Sequence, residues 1–237
     1  MNYQKLHLGC GLKTPDDWLN VDGSWNARLA KHPILRKIVR WTRMISPEQL
    51  AISWDSKIFI HDVRSPLPFE TDSFQFVYAS HLLEHLYWEE GQKLLKQCFR
   101  VLKPAGCLRI VVPDLKVIVE EYVAASLVNN DSKNRLMSKA DQFNDRLLMH
   151  SRQPPSGNLL YRIHTALNDF HTHKWMYDAD SLTQCFRMVG FTEVQEMACH
   201  ASRISGIEAV EDPGRVLNGA GVCIEGIKPG MLGIRRE

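Results

Sequence analysis

The stretch that most constrains this chain is Lys5-Leu6-His7-Leu8-Gly9-Cys10-Gly11, followed by Trp18-Leu19-Asn20-Val21-Asp22-Gly23-Ser24. An alternating apolar run ends in Gly-Cys-Gly, and a second short apolar run ends in an acid. Glycines just past a strand let the backbone approach a ligand closely, because no Cβ stands in the way. A carboxylate closing the next strand can accept hydrogen bonds from a ribose diol. In this order the pieces read as the nucleoside-binding edge of an α/β sheet. Gly-x-Gly alone occurs often by chance, so its weight comes from the flanking strands and the acid.

The rest of the chain repeats the strand-then-helix theme. Ile58-Phe59-Ile60-His61-Asp62 reads as a third strand, again ending in an acid. Phe74–Ala79 is almost continuously apolar, as a strand covered on both faces should be. Leu94, Leu95, Cys98, Phe99 and Leu102 mark a helix face stopped by Lys103-Pro104-Ala105-Gly106. Leu108–Val112 is a fifth strand, 115–128 a helix, Phe191–Glu196 a sixth strand and Gly221–Lys228 a last one. Asp180 is placed to cap a helix running to Val189, with Gly190 ending it. Only about ten residues join the first two strands, fewer than the dozen or more of an ordinary parallel crossover. Either the connecting helix is reduced to a turn or two, or the strand limits shift slightly.

Two insertions interrupt the pattern. In 27–57, Ile34, Leu35, Ile38, Val39, Trp41 and Ile45 recur at helical spacing among Lys31, Arg36, Lys37, Arg40 and Arg43. This is a surface helix or a basic lid. Residues 129–175 are polar and broken by Pro154-Pro155-Ser156-Gly157, at the position where an α/β enzyme carries a substrate cap.

Composition narrows the partners and compartment. The 237 residues fit one large domain with insertions, and the net charge of +2 supplies no strong field for nucleic acid. The six cysteines are scattered without a Cys-x-x-Cys pair, so no zinc ribbon or thioredoxin-type motif is visible. Scattered thiols, the absence of a charged-then-apolar leader, and no apolar run near the ~20 residues of a membrane span together predict a soluble, cytoplasmic protein.

Taken in order, these residues resemble the class I S-adenosylmethionine-dependent methyltransferases, and more narrowly the small bacterial methyltransferase-domain group. The matching pieces are Leu6–Gly11, Leu19–Asp22, Phe74–Leu86 with its Ser80-His81-Leu82-Leu83-Glu84-His85, Phe99–Ile110, and His173-Lys174-Trp175-Met176-Tyr177 followed by Val189-Gly190-Phe191. The resemblance implies an α/β fold with a Rossmann-like seven-stranded sheet, mostly parallel with the last strand antiparallel, and helices on both faces. It implies S-adenosylmethionine at the carboxyl ends of the early strands. Gly9, Cys10 and Gly11 then lie under its methionine part, Asp22 with Gly23 at its ribose, Asp62 and Val63 beside its adenine, and Ser80 and His81 on the wall after the fourth strand. Two positions depart from the family pattern. Leu12-Lys13 stands where many relatives carry a third glycine, and Ala105 replaces a glycine before the fifth strand.

His81, Glu84 and His85 share one face if they lie on a helix, a spacing also found in zinc sites. Leu-Glu-His-Leu at this place is common in relatives that bind no metal, so a cofactor or substrate wall is the preferred reading and no metal is assigned. His164, His171 and His173 cluster near Trp175 and Tyr177. A neutral imidazole among them can take a proton from a hydroxyl or amine, and His173 is placed near the transferred methyl with His81 on the opposite wall. Cys10 contributes backbone rather than a reactive thiol. The function read from these residues is methyl transfer to a small-molecule acceptor, a small polar metabolite or sugar. The rival is a regulator that binds S-adenosylmethionine without turnover. A nicotinamide enzyme is disfavoured, because Gly-x-Gly-x-x-Gly is broken at Thr14 and Asp22 comes early. A metalloprotease is left to metal analysis.

Overall fold

A computed structural model describes residues 3–32, 53–127, 137–149 and 172–230. The helical spacing read in 34–45, and His164 and His171, lie outside the described residues. The strands are β1 Lys5–Leu8, β2 Trp18–Asp22, β3 Phe59–Ile60, β4 Phe74–Ser80, β5 Leu102–Val112, β6 Thr192–Glu196 and β7 Val222–Ile227. They form one seven-stranded sheet in the order β3-β2-β1-β4-β5-β7-β6. Neighbouring strands from β3 to β5 pair in parallel, and β7 runs antiparallel to both β5 and β6.

Alternation along each strand divides the core in two. Leu6, Leu8, Val77, Ala79, Leu108, Ile110, Val112 and Ile224 point to the larger half. Helix α1 (Trp25–Lys31) follows β2, and helix α2 (Trp88–Val101) lays Leu94, Leu95, Cys98 and Val101 on that larger half. Fully burying a leucine there contributes about 1.5–3 kcal/mol. Helix α3 (Leu115–Leu127) leaves the end of β5, helix α4 (Lys139–Leu147) packs on it, and helix α5 (Ala179–Val189) joins α2. The cap of α5 is Asp178, whose side chain accepts from the Ser181 amide at 2.8 Å, rather than Asp180. Gly190 ends that helix at φ 110°, a left-handed turn that glycine adopts freely.

The opposite face carries Tyr78, Cys107, Val111 and Cys223 under residues 197–221. That cover holds two 3-10 turns, Ile207–Ala209 and Pro213–Arg215, because Gly206, Pro213, Gly214 and Gly219 allow no long helix. Arg109 fastens it. Fully buried in mid-strand, its guanidinium donates to Glu211 at 2.8 and 2.9 Å, to Glu225 at 2.8 Å, and to the carbonyls of Ala198 and Ala201.

Two boundaries differ from the sequence reading. Leu102 opens β5 instead of closing the helix face, and Lys103-Pro104-Ala105-Gly106 bulges out between Leu102, opposite Phe74, and Cys107, opposite Phe76. No helix joins β1 to β2; residues 9–17 are turn and loop, closed by the Lys13 amide on the Cys10 carbonyl at 3.1 Å.

Candidate active site

Parallel pairing brings the carboxyl ends of β1, β2, β4 and β5 to one edge, where open α/β sheets bind ligands. Leu8 stands beside Val21 on one side and Ala79 on the other, so the segments that follow, 9–11, 22–24 and 80–85, emerge together. Gly9 and Gly11 take φ of 64° and 55°, left-handed values that disfavour any side chain. A Cβ on Gly9 would press on the Leu82 side chain at 3.2 Å, whereas one on Gly11 would enter space clear of described atoms within 4 Å.

Asp22 ties this loop down. Its Oδ2 accepts from the Gly11 amide at 3.0 Å and its Oδ1 from the Ser24 amide at 2.8 Å, with the residue 8 % exposed. A carboxylate offers about four lone-pair positions, so two amides leave capacity for hydroxyl donors. Gly23 is required for a different reason. A Cβ there would meet the His61 carbonyl oxygen at 2.6 Å, where the chain after β3 passes close. Cys10 is buried and desolvation pushes its thiol pKa up, which disfavours the reactive thiolate.

Asp62 and Val63 stand beside this edge with other partners. The Arg64 guanidinium grips Asp62 at 2.6–3.1 Å, and that hydrogen bond holds the carboxyl below the usual range. Val63 puts its side chain into the larger core. Ser80 is buried at the last position of β4.

The turn after β4 gathers the histidines. His81 adopts φ 50°, a conformation histidine tolerates better than most residues, and its amide bonds to the Val111 carbonyl at 2.9 Å. Leu83–His85 form a 3-10 turn, so the shared α-helical face does not form. The carboxylate of Glu84 is nevertheless central. His81 Nδ1 lies 3.3 Å from Glu84 Oε1, and His85 Nε2 lies 3.9 Å from the same oxygen. His81 Nε2 meets the Arg215 carbonyl at 3.1 Å.

His173 arrives from the far side. Its amide bonds to the Leu148 carbonyl at 2.9 Å, and the next amide, of Lys174, bonds to the Glu84 carbonyl at 2.7 Å. Leu115 then bonds back to the Tyr177 carbonyl at 2.8 Å, so 172–177 crosses this edge to the end of β5. His173 is 5 % exposed and its ring sits 5.1 Å from that of His85. Desolvation lowers its pKa, with Glu84 opposing. His81 and His173 therefore converge on one carboxylate instead of facing each other across a cavity.

Sequence reasoning passed over Arg215 and Lys13. Lys13 reaches the Glu211 carbonyl at 3.3 Å, joining the glycine loop to the 207–215 cover. The reading of 129–175 as a cap falls mainly outside the described residues. Of that segment, α4 packs Phe143 on Tyr122 with ring centroids 4.8 Å apart and pairs Arg146 with Glu121 at 3.1 Å. A cavity of about 430 Å³ lies between α3 and α4, lined by Ile118, Tyr122, Phe143 and Arg146, none of them a site residue named above.

Comparison with known proteins places this edge in context. Residues 6–110 match the methyltransferase domain family, a span that includes the glycine loop, Asp22 and the turn after β4. No curated protein matches the chain. Solved structures similar to it include an S-adenosylmethionine-dependent methyltransferase of Thermotoga maritima, 19 % identical with a TM-score of 0.47 over 95 % of this chain and 81 % of that one. One from Archaeoglobus fulgidus is 14 % identical with a TM-score of 0.45 over 95 % and 86 %. Phosphoethanolamine N-methyltransferase 2 of Haemonchus contortus, in complex with S-adenosyl-L-methionine, is 11 % identical with a TM-score of 0.44 over 96 % of this chain and 49 % of its own.

Proposed function

We propose that this chain, whose residues 6–110 match the methyltransferase domain family, is a class I S-adenosylmethionine-dependent methyltransferase that methylates a small polar metabolite or sugar. When bound, S-adenosylmethionine supplies an electrophilic methyl carbon on a sulfonium. The residues at the sheet edge fit that group. Gly9 and Gly11 hold a loop whose outer side is open, and Asp22 keeps free lone pairs for a ribose diol. Gly23, Asp62, Val63 and Ser80 complete the binding wall, with Val63 offering its backbone.

The protein's task is then to orient the acceptor and exclude water. His81 is the proton acceptor in this reading, where the substrate nucleophile is a hydroxyl or protonated amine. The observation that carries this is its placement between Glu84 Oε1 at 3.3 Å and the Arg215 carbonyl at 3.1 Å. Nε2 donates to that carbonyl, so Nδ1 holds the lone pair that takes the substrate's proton, and Glu84 beside it steadies the resulting imidazolium. His173 acts from behind, sharing the field of Glu84.

The small net charge favours neither a nucleic-acid acceptor nor a strongly acidic one. Six unpaired cysteines are consistent with a reducing, cytoplasmic setting. Among the described residues no helix is long and apolar enough to cross a membrane. Formation of S-adenosylhomocysteine across a panel of sugars, nucleosides, amines and small acids tests the acceptor class. His81→Ala should then lower kcat by ~10²–10⁴ with the best acceptor, with cofactor affinity little changed. Turnover confined to nucleic acid or protein would overturn the acceptor reading.

A further inference from the structure

We propose that Glu84, His85 and His173 form a binding site for one divalent transition-metal ion of the zinc class. One ligand atom from each of the three lies within 4.8 Å of the others. Glu84 is fully buried, and neither of its oxygens accepts a hydrogen bond from a described residue. The ionisable side chains beside it are imidazoles, His81 at 3.3 Å and His85 at 3.9 Å from Oε1, so among the described residues no fixed cation faces this buried carboxylate and a metal ion would supply one.

The histidines are turned to supply ligands. His85 Nδ1 lies 3.2 Å from the Thr172 carbonyl. That oxygen can only accept, so Nδ1 carries the proton and Nε2 keeps its lone pair. The lone pair of Nε2 and Glu84 Oε1 then stand 3.9 Å apart, two acceptors with no proton between them. Metal–ligand bonds of about 2.0–2.2 Å put two ligands of one tetrahedral ion roughly 3.3 Å apart, so this pair closes by about half an ångström, and the full set, whose donor atoms lie within 4.8 Å of one another, draws in further around an ion. A carbonyl fixing the second ring nitrogen is the usual way a metal-binding imidazole is oriented.

His173 is the third donor, buried with its Nδ1 unpaired among the described residues. The backbone bonds from Lys174 and Trp175 to the Glu84 carbonyl, at 2.7 and 3.2 Å, hold it there without an ion. One carboxylate and two imidazoles suit zinc and its neighbours rather than magnesium or calcium. His81, exposed on its side chain to 21 %, braces Glu84 from outside the donor set. A second grouping, Cys199, His200 and Glu211, differs in one respect. Both Glu211 oxygens already accept from Arg109, and Oε1 also from the His200 amide, so no carboxylate is free. The metal site is independent of which acceptor is methylated.

The test uses tag-free full-length protein, stripped with a chelator and titrated with zinc chloride by calorimetry, with thermal unfolding measured in parallel. Wild type should take up one equivalent with sub-micromolar affinity and unfold at higher temperature with zinc. His85→Ala, whose side chain is part-exposed, should fold as wild type without metal and lose more than the ~10–100-fold that outer-shell changes cost. Glu84→Gln and His173→Ala should behave alike, and Cys199→Ser should bind normally. If Glu84→Gln fails to fold, His85→Ala decides. The proposal is overturned if wild type takes up no zinc, if folded His85→Ala binds as tightly as wild type, or if Cys199→Ser abolishes binding.

Discussion

Asp22 Oδ2 accepts a hydrogen bond from the Gly11 amide at 3.0 Å, tying the end of β2 to the loop that ends β1. The same carboxylate reaches the Ser24 amide through its other oxygen at 2.8 Å. One acid thus ties down the left-handed path of the glycine loop and keeps lone-pair capacity beyond those two amides. The acid and the two glycines are one structural unit, and the proposed ribose contact rests on both.

Asp22→Ala should weaken cofactor binding about tenfold or more, since a hydrogen bond to a charged group is worth ~1.5–3 kcal/mol. The two amides left unpaired should also lower unfolding stability by about 1–3 kcal/mol. Calorimetry with S-adenosylhomocysteine and urea unfolding measure the two effects separately. An unchanged dissociation constant in the folded variant refutes the ribose role.

His7 makes stability depend on acid. It is buried between Trp18 and Tyr78, and burial pushes its pKa down to about 3, with Asn20 opposing. The folded ring stays neutral where the unfolded one, near 6.5, takes a proton. The stabilisation is complete above pH 6.5 and falls as the pH drops, by at most about 1.4 kcal/mol per unit, until about 3. Between pH 7 and 5 this group should cost about 2 kcal/mol. His7→Phe keeps the aromatic packing and removes the titration. Its unfolding free energy should therefore fall less over the same interval, and an identical fall would contradict the assignment.

Arg109→Met should destabilise the chain by about 3–5 kcal/mol, because two buried carboxylates lose their counter-charge. Adding Glu211→Gln and Glu225→Gln should recover part of that loss. Denaturant midpoints of the single and triple variants decide it; equal midpoints would mean the ion cluster matters little.

Ala105 stands at φ 62° in the bulge of β5. Left-handed backbone costs a non-glycine residue about 1–2 kcal/mol. Glycine gives back ~0.4–1 kcal/mol through the freer unfolded chain. Ala105→Gly should therefore be neutral or raise the melting temperature, and a clear loss of stability would show that the alanine methyl packs usefully.

Strand limits were legible at Lys5–Leu8, where the apolar residues alternate, and to within one residue at each end of the last strand, read as 221–228 and found as Val222–Ile227. They were less so at β3, which shortens to Phe59–Ile60 because only Val21 and Asp22 pair with it. Lys103-Pro104-Ala105-Gly106 looks like a helix stop, but the helix has already ended at Val101, with Leu102 as its cap. What one-dimensional pattern could not show is that the bulge lies within a continuing strand. Arg109 and Glu225, charges amid apolar strands, were visible signals of a buried pair that went unread. At the candidate site, the glycine turn and the strand-ending acid were legible because both are local in sequence. The convergence of His173 on Glu84 was not, since it depends on how 172–177 crosses the sheet edge.

A crystal structure with S-adenosylhomocysteine tests the central claim most directly. The account predicts the ribose hydroxyls within hydrogen-bond distance of the Asp22 carboxylate, the homocysteine part along Gly9–Gly11, and His81 on the wall that faces the sulfur. Ligand bound elsewhere, for example in the cavity between α3 and α4, with Asp22 bonded only to its two amides, would contradict it.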